Sequence, residues 1–148
     1  MAEPVSGSGP RQVFERVLFE LQNANMDAYA NLFAEDGVFE LPFAPPPLSR
    51  RIEGREAIRR FLSSAAERLS ASPPHYNFSS VVVHETVDPE IIVTEDVVHG
   101  VAADGSYQFS NLGVMTVRNG EIVSLRDYWS PLDRPEFAAV TNSPARSA

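Results

Sequence analysis

Residues 111–131 read NLGVMTVRNGEIVSLRDYWSP, two apolar-rich runs on either side of Arg118-Asn119-Gly120. A turn triplet ending in glycine suits a three-residue hairpin loop with a bulge, because glycine accepts the positive φ that such a loop needs. Pairing Val117 with Glu121 then sets Asp127 across from Asn111, Leu125 across from Gly113 and Trp129 across from Phe109. Alternate residues of a strand share a face, so Leu125, Asp127 and Trp129 point the same way. An acid between a leucine and the only tryptophan of the chain suits a greasy pocket with one working carboxylate better than it suits a solvent face.

Working outward, strand-like patterning extends upstream through 107–117, 91–101 and 78–86, with turns at Asp104-Gly105 and Asp88-Pro89. The hairpin's second strand, 122–129, is ended by Pro131, and residues 132–140 form a short terminal segment. Before Ser72-Pro73-Pro74 the period changes to that of helices. Phe14, Val17, Leu18 and Leu21 mark one face of a helix from Arg11 to about Asn23. Asn23-Ala24-Asn25 offers a cap for a second helix over 27–33, with Ala28, Leu32 and Phe33 inward. A turn over 34–37 precedes a strand over 38–43, which sets Phe39 and Leu41 on one face and Glu40 on the other. After the prolines at 45–47 and a loop or short strand over 48–52, Gly54 opens a third helix. Its stripe is Ile58, Phe61, Leu62, Ala65 and Leu69, with Arg59, Arg60 and Arg68 outside it.

Helices followed by a run of strands predict an α+β domain. The expected architecture is a cone, a curved antiparallel sheet with three N-terminal helices packed on its concave face, whose mouth can hold a small molecule. The domain is expected over 11–140, with disordered tails over 1–10 and 141–148.

Composition narrows the partners. The chain has 148 residues and a net charge of −8, from 20 acidic and 12 basic residues, which argues against nucleic acid or an anionic membrane. All the basic residues are arginine, and there is no cysteine, so a Schiff-base lysine and a thiolate nucleophile are both ruled out. No apolar run is long enough to span a bilayer, and the N-terminus does not read as a secretory signal. A cytoplasmic location is the expectation.

Among candidate functional residues, Asp127 leads. A carboxyl in an apolar cavity has its charged form disfavoured, which moves it toward the range useful for acid–base work. The structural alternative is an ion pair with Arg59 or Arg60. Asn111, set opposite Asp127, is expected to orient that acid or a substrate carbonyl. Glu95 and Asp96 point oppositely as strand neighbours. A two-residue Asp104-Gly105 turn puts Asp96 inside, opposite Gly113, whereas a three-residue turn puts Glu95, Val97 and His99 inside. Phe39, Leu41, Phe61, Leu125 and Trp129 are the expected pocket wall. His75, His84 and His99 are dispersed and no cysteine supports them, so no metal is expected. Tyr107 and Tyr128 read as core-edge or interface aromatics. No phosphate loop or dinucleotide fingerprint is present.

Four stretches together carry a resemblance over roughly residues 11–135: LFAEDGVFELPF at 32–43, IEGREAIRRFL at 52–62, HETVDPEIIVTED at 84–96, and NLGVMTVRNGEIVSLRDYWSPL at 111–132. The chain resembles the nuclear-transport-factor-2-like superfamily, which includes ketosteroid isomerases, SnoaL-like polyketide cyclases, limonene-epoxide hydrolase and the phenazine-biosynthesis A/B proteins. The ketosteroid isomerase positions for the proton-shuttling aspartate, the oxyanion tyrosine and its acidic partner fall at Leu41, Val17 and Gly113, so that chemistry is excluded. Limonene-epoxide hydrolase implies acids at Asp127 and near Asp96, but its arginine falls at Thr94 and its water-holding tyrosine and asparagine at Phe39 and Leu41. The phenazine proteins share an acid at Asp127 and a stretch like Glu85–Pro89, while their pocket histidine falls at Phe61. SnoaL-like cyclases, with one acid in an apolar cavity, fit best. The resemblance implies a cofactor-independent cyclase or isomerase acting on an apolar, polyketide-like small molecule, with Asp127, Asp96 and Asn111 as catalytic residues. It also implies a homodimer through the outer sheet face. Epoxide hydrolysis or epoxide-opening cyclisation, and a non-catalytic binding or dimerisation module, are the alternatives.

Overall fold

Pro10 begins the first helix, α1 (Pro10–Gln22), where its missing N–H and fixed φ do no harm. The helix buries Val13, Phe14 and Val17. Ala24 ends it in a left-handed conformation at φ 54°, and the N–H groups of Ala24 and Asn25 return to the carbonyls of Leu21 and Glu20. The Asn25 side chain then accepts from the Ala28 N–H at 3.0 Å and starts α2 (Met26–Asn31). Two capping devices on neighbouring residues thus make the expected αα corner. The buried residues within α2 are Met26, Tyr29 and Ala30; of the expected inward set, Phe33 is fully buried and Leu32 packs against the core, both just past the helix, and Ala28 is half-buried. The helix starts one residue earlier and stops before Phe33, which already belongs to the sheet.

The computed structural model describes residues 6–69, 77–102 and 105–129. The expectations for residues 1–5, His75, Asp104, Pro131, the segment 132–140 and the tail 141–148 lie outside the described residues, as does the side chain of Tyr107. Residues 6–9 are described, and Ser8 lies against the turn at Gly120.

The remaining elements are β1 (Phe33–Glu40), β2 (Arg51–Glu53), α3 (Arg55–Leu69), β3 (Asn77–Glu85), β4 (Ile91–Ala102), β5 (Gly105–Arg118) and β6 (Glu121–Trp129). They form a six-stranded sheet in the order β2-β1-β6-β5-β4-β3. The meander enters at the far edge and walks back, so its last strand closes on β1. That pair is parallel, and the sheet is therefore mixed rather than wholly antiparallel. The expected turn over 34–37 is instead a bulge inside β1, because Phe33 pairs with Ile122 while Val38 pairs with Ser124. Gly37 sits in that bulge, where an added Cβ would lie 2.9 Å from the Ile122 carbonyl oxygen. The helices cover the sheet's inner face, and Phe33, Ile58, Met115 and Ile122 are fully buried between the layers.

The β5–β6 hairpin departs from its expected geometry in an instructive way. Asn119 and Gly120 both have positive φ, 52° and 78°, which makes a two-residue turn with Arg118 paired to Glu121. The extra residue falls later: Val117 pairs with Ile122 but Thr116 with Ser124, leaving Val123 as the bulge. Asp127 therefore faces Gly113, two residues from the expected Asn111. A shift of two keeps every side chain on its expected face. Gly120→Ala is expected to cost about 1 kcal/mol, from the left-handed backbone alone. A Cβ there would also lie 3.3 Å from the Ser8 Cβ. Thermal denaturation should show a melting temperature lower by about 2–4 °C.

Candidate active site

Three adjacent strands bring the polar groups together. Across β4, β5 and β6, Thr94, Gly113 and Asp127 form one row on the inner face, and Asp96, Asn111 and Trp129 form the next. Thr94 and Asp96 are 3% and 8% exposed, and Asp127 is half-buried. Asn111 donates from Nδ2 to Asp96 Oδ2 at 3.1 Å. A buried carboxylate needs such donors to replace lost water. These groups line a cavity of about 110 Å³ between sheet and helices. Its remaining wall is apolar: Phe14, Val17, Leu18 and Leu21 from α1, Met26 and Tyr29 from α2, Phe61, Leu62 and Ala65 from α3, and residues of the sheet. Two carboxyl groups thus stand in an oily pocket, with no cationic side chain among the described residues that line it.

The expected site residues divide cleanly by face. Asp96, Asn111 and Asp127 line the cavity together with Phe39, Leu41, Phe61 and Leu125. Trp129 shares their face and is buried at 3% exposure, but it packs in the core and does not wall the cavity. Glu95 and His99, considered as pocket residues, lie on the outer face instead. Ala102 pairs with Gly105, and that register turns Asp96 inward and Glu95, Val97 and His99 outward. Glu95 there meets His84 Nε2 at 2.7 Å, and His99 Nε2 meets the Ser79 hydroxyl at 2.6 Å. Asn111 is placed opposite Asp96 and Trp129 rather than Asp127, so the acid it holds is Asp96.

Other contributors to the cavity, Thr94 and Tyr29 among them, were not anticipated. Thr94 entered the sequence reading only as a mismatch, yet it is nearly inaccessible and lines the cavity. Its signal was the alternation Thr94-Glu95-Asp96, which puts Thr94 on the face of Asp96. Tyr29 was missed because the α2 frame was offset, although Met26, Tyr29 and Ala30 hold helical spacing. The α1 stripe, marked by the sequence only as one face of a helix, forms one side of the pocket.

Arg59, weighed as an ion-pair partner for Asp127, turns toward α2. Its guanidinium binds the side chain and carbonyl of Asp27, Asn31 at 2.7 Å and Glu56. Hydrogen bonding to Glu56, followed by Asp27, holds its pKa above the ordinary arginine value. Arg60 is exposed. Among the described residues, no group of three or more His, Cys, Asp or Glu could hold a metal ion, and no helix is long and apolar enough to cross a membrane.

Comparison with known proteins bears on the family and the fold. An uncharacterised PhzA/B-like protein of Pseudomonas aeruginosa is 32% identical over 124 residues, which is 82% of this chain and 84% of that protein. A solved Bacillus subtilis structure, described provisionally as an isomerase, matches with a TM-score of 0.77 at 26% identity, covering 87% of this chain and 91% of its own. An LEH-like epoxide hydrolase from M. tuberculosis has the same fold, with a TM-score of 0.60 at 24% identity over 89% of this chain and 95% of its own. Residues 14–125 match the SnoaL-like domain, and the chain belongs to that family, with the cone fold of nuclear-transport-factor-2-like proteins.

Proposed function

We propose that the chain is a cofactor-independent cyclase or isomerase that moves a proton on an apolar, polyketide-like small molecule. The observation that carries this is the placement of Asp127 in an apolar cavity, one row from the hydrogen-bonded pair of Asp96 and Asn111. As a carboxylate, Asp127 would take a proton from a carbon beside a carbonyl. As the resulting acid, it would return that proton to oxygen or to another carbon, so the substrate gains and loses no atoms. Holding a flexible substrate in a reactive fold and shuttling one proton is work a small pocket can do.

A second reading is favoured by the count of acids. Two carboxyl groups line one cavity, as epoxide opening by water requires: one protonates the departing epoxide oxygen while the other takes a proton from the attacking water. Running candidate polyketide-like and epoxide substrates in H2(18)O separates the two. An isomer of unchanged mass supports proton shuttling, whereas a product carrying one heavy solvent oxygen supports hydrolysis. Should no substrate of either class turn over, the non-catalytic alternative takes the place of both. The outer sheet face, where Val82 and Leu112 are 44% and 40% exposed, supports pairing with a second copy as part of the same proposal.

A further inference from the structure

The proposed chemistry leaves the Thr94 hydroxyl without a task. Its side chain is 97% buried by the fold, being only 3% exposed, and it lines the cavity. Its hydroxyl lies over the Gly113 backbone, at the cavity wall. A hydroxyl in an oily wall offers a hydrogen bond to a ligand or water that enters the cavity.

The neighbouring glycine points the same way. Gly113 lies between Thr94 and Asp127 in one cross-strand row. A Cβ on Gly113 would stand 2.7 Å from Thr94 Oγ1 and 3.8 Å from Leu125 Cδ1. The missing side chain lets the Thr94 hydroxyl lie over the Gly113 backbone, with the Asp127 carboxyl in the same row two strands from Thr94. Strand spacing puts the two Cα atoms about 9–10 Å apart. One small ring can touch both walls, whereas a single atom cannot.

Resting on the reading of this cavity as the substrate site, we infer that Thr94 and Asp127 are the two walls of an oxygen-holding slot over Gly113, which takes an uncharged ring bearing two oxygens. One oxygen is held by the Thr94 hydroxyl and the other meets the Asp127 carboxyl. Two acids without a lining cation repel an anion, so the slot selects the neutral compound over its acidic relative. Thr94 is in this sense a specificity-determining residue, and it need take no part in proton transfer.

The test is binding, independent of turnover. Resorcinol, toluene and benzoate are titrated into the full chain and followed by protein-detected NMR, using wild type, Thr94→Val and Thr94→Ser. Valine keeps the branched shape and removes the hydroxyl, and serine restores it. Resorcinol should bind wild type and Thr94→Ser alike and bind Thr94→Val about three- to tenfold more weakly, as for one lost hydrogen bond. Toluene should bind all three equally, and benzoate should bind least. Equal binding of resorcinol to wild type and Thr94→Val overturns the slot, as does failure of resorcinol to bind wild type. If the slot fails while turnover still depends on Asp127, the proposed chemistry stands without it. Loss of turnover dependence with the slot intact has the opposite meaning.

Discussion

Asp127→Asn is expected to lose about 100- to 10,000-fold in turnover while keeping the fold, the range contributed by a positioned general acid or base. Asparagine has the same shape and can still hydrogen-bond, but it has no proton to give and no charge with which to take one. The half-buried position of Asp127, beside a glycine rather than inside the packed core, makes the replacement sterically mild. Circular dichroism and melting temperature should stay near wild type, so that lost turnover reports chemistry. Asp96→Asn is the informative comparison, because the amide oxygen of the new residue can still accept from Asn111 Nδ2. Under proton shuttling by Asp127 alone, the Asp96 variant should lose far less. Comparable losses in both would instead mark a mechanism with two working carboxyls, the epoxide reading. Undiminished turnover in Asp127→Asn would remove that acid from the reaction altogether.

The inward face of β6 was readable from Leu125, Asp127 and Trp129, but the partner of each residue was not. The face depends on parity, and the observed register differs from the expected one by two residues, which leaves parity unchanged. Partner identity depends on where a bulge sits. Asn119-Gly120 made a tight two-residue turn and displaced the bulge to Val123, a position that no turn residue announces. The same logic holds on β4, where Asp96 was expected opposite Gly113 and stands opposite Asn111, still inward. The consequence is chemical: the amide expected to serve Asp127 serves Asp96.

The parallel pairing of β1 with β6 was harder to foresee, since nothing in either strand's alternation specifies direction. Only the path of the whole meander fixes it, and that is a long-range property. Helical elements were more legible because their signals are local. The cap at Asn25 and the α1 stripe could be read directly, and only the α2 frame slipped, by the length of a short helix with few residues to fix its phase. Thr94 escaped notice for a different reason. A threonine in a strand is ordinary by propensity, and its meaning emerges only once Gly113 is seen beside it with no room for a Cβ.

Phe33→Ala is expected to be the most damaging core substitution, costing about 3–5 kcal/mol. Stabilities of about 5–15 kcal/mol leave little room for such a loss. Phe33 is fully buried where α2 passes into β1, and its ring lies 5.8 Å from that of Tyr29 and 6.0 Å from that of Phe39, centroid to centroid. Phe39 in turn meets Phe61 of α3 edge-on at 5.8 Å. Backbone anchors would survive the change: Arg55 Nε donates to the Phe33 carbonyl at 2.7 Å, and the Ile122 N–H donates to the Leu32 carbonyl at 2.8 Å. The strand would therefore stay in place around a void, the circumstance in which a cavity is least able to collapse and costs most. The melting temperature should fall by about 10 °C or more, and Phe33→Leu, which fills most of the space, should recover the greater part. Tyr29, Phe39 and Phe61 all line the cavity, so the loss should also reach the proposed site. With their backing gone, these rings can lean into the new space, and resorcinol or toluene should bind more weakly to Phe33→Ala even where it remains folded. A variant that melts like wild type would show that the aromatic chain from Tyr29 to Phe61 does not support the cavity wall.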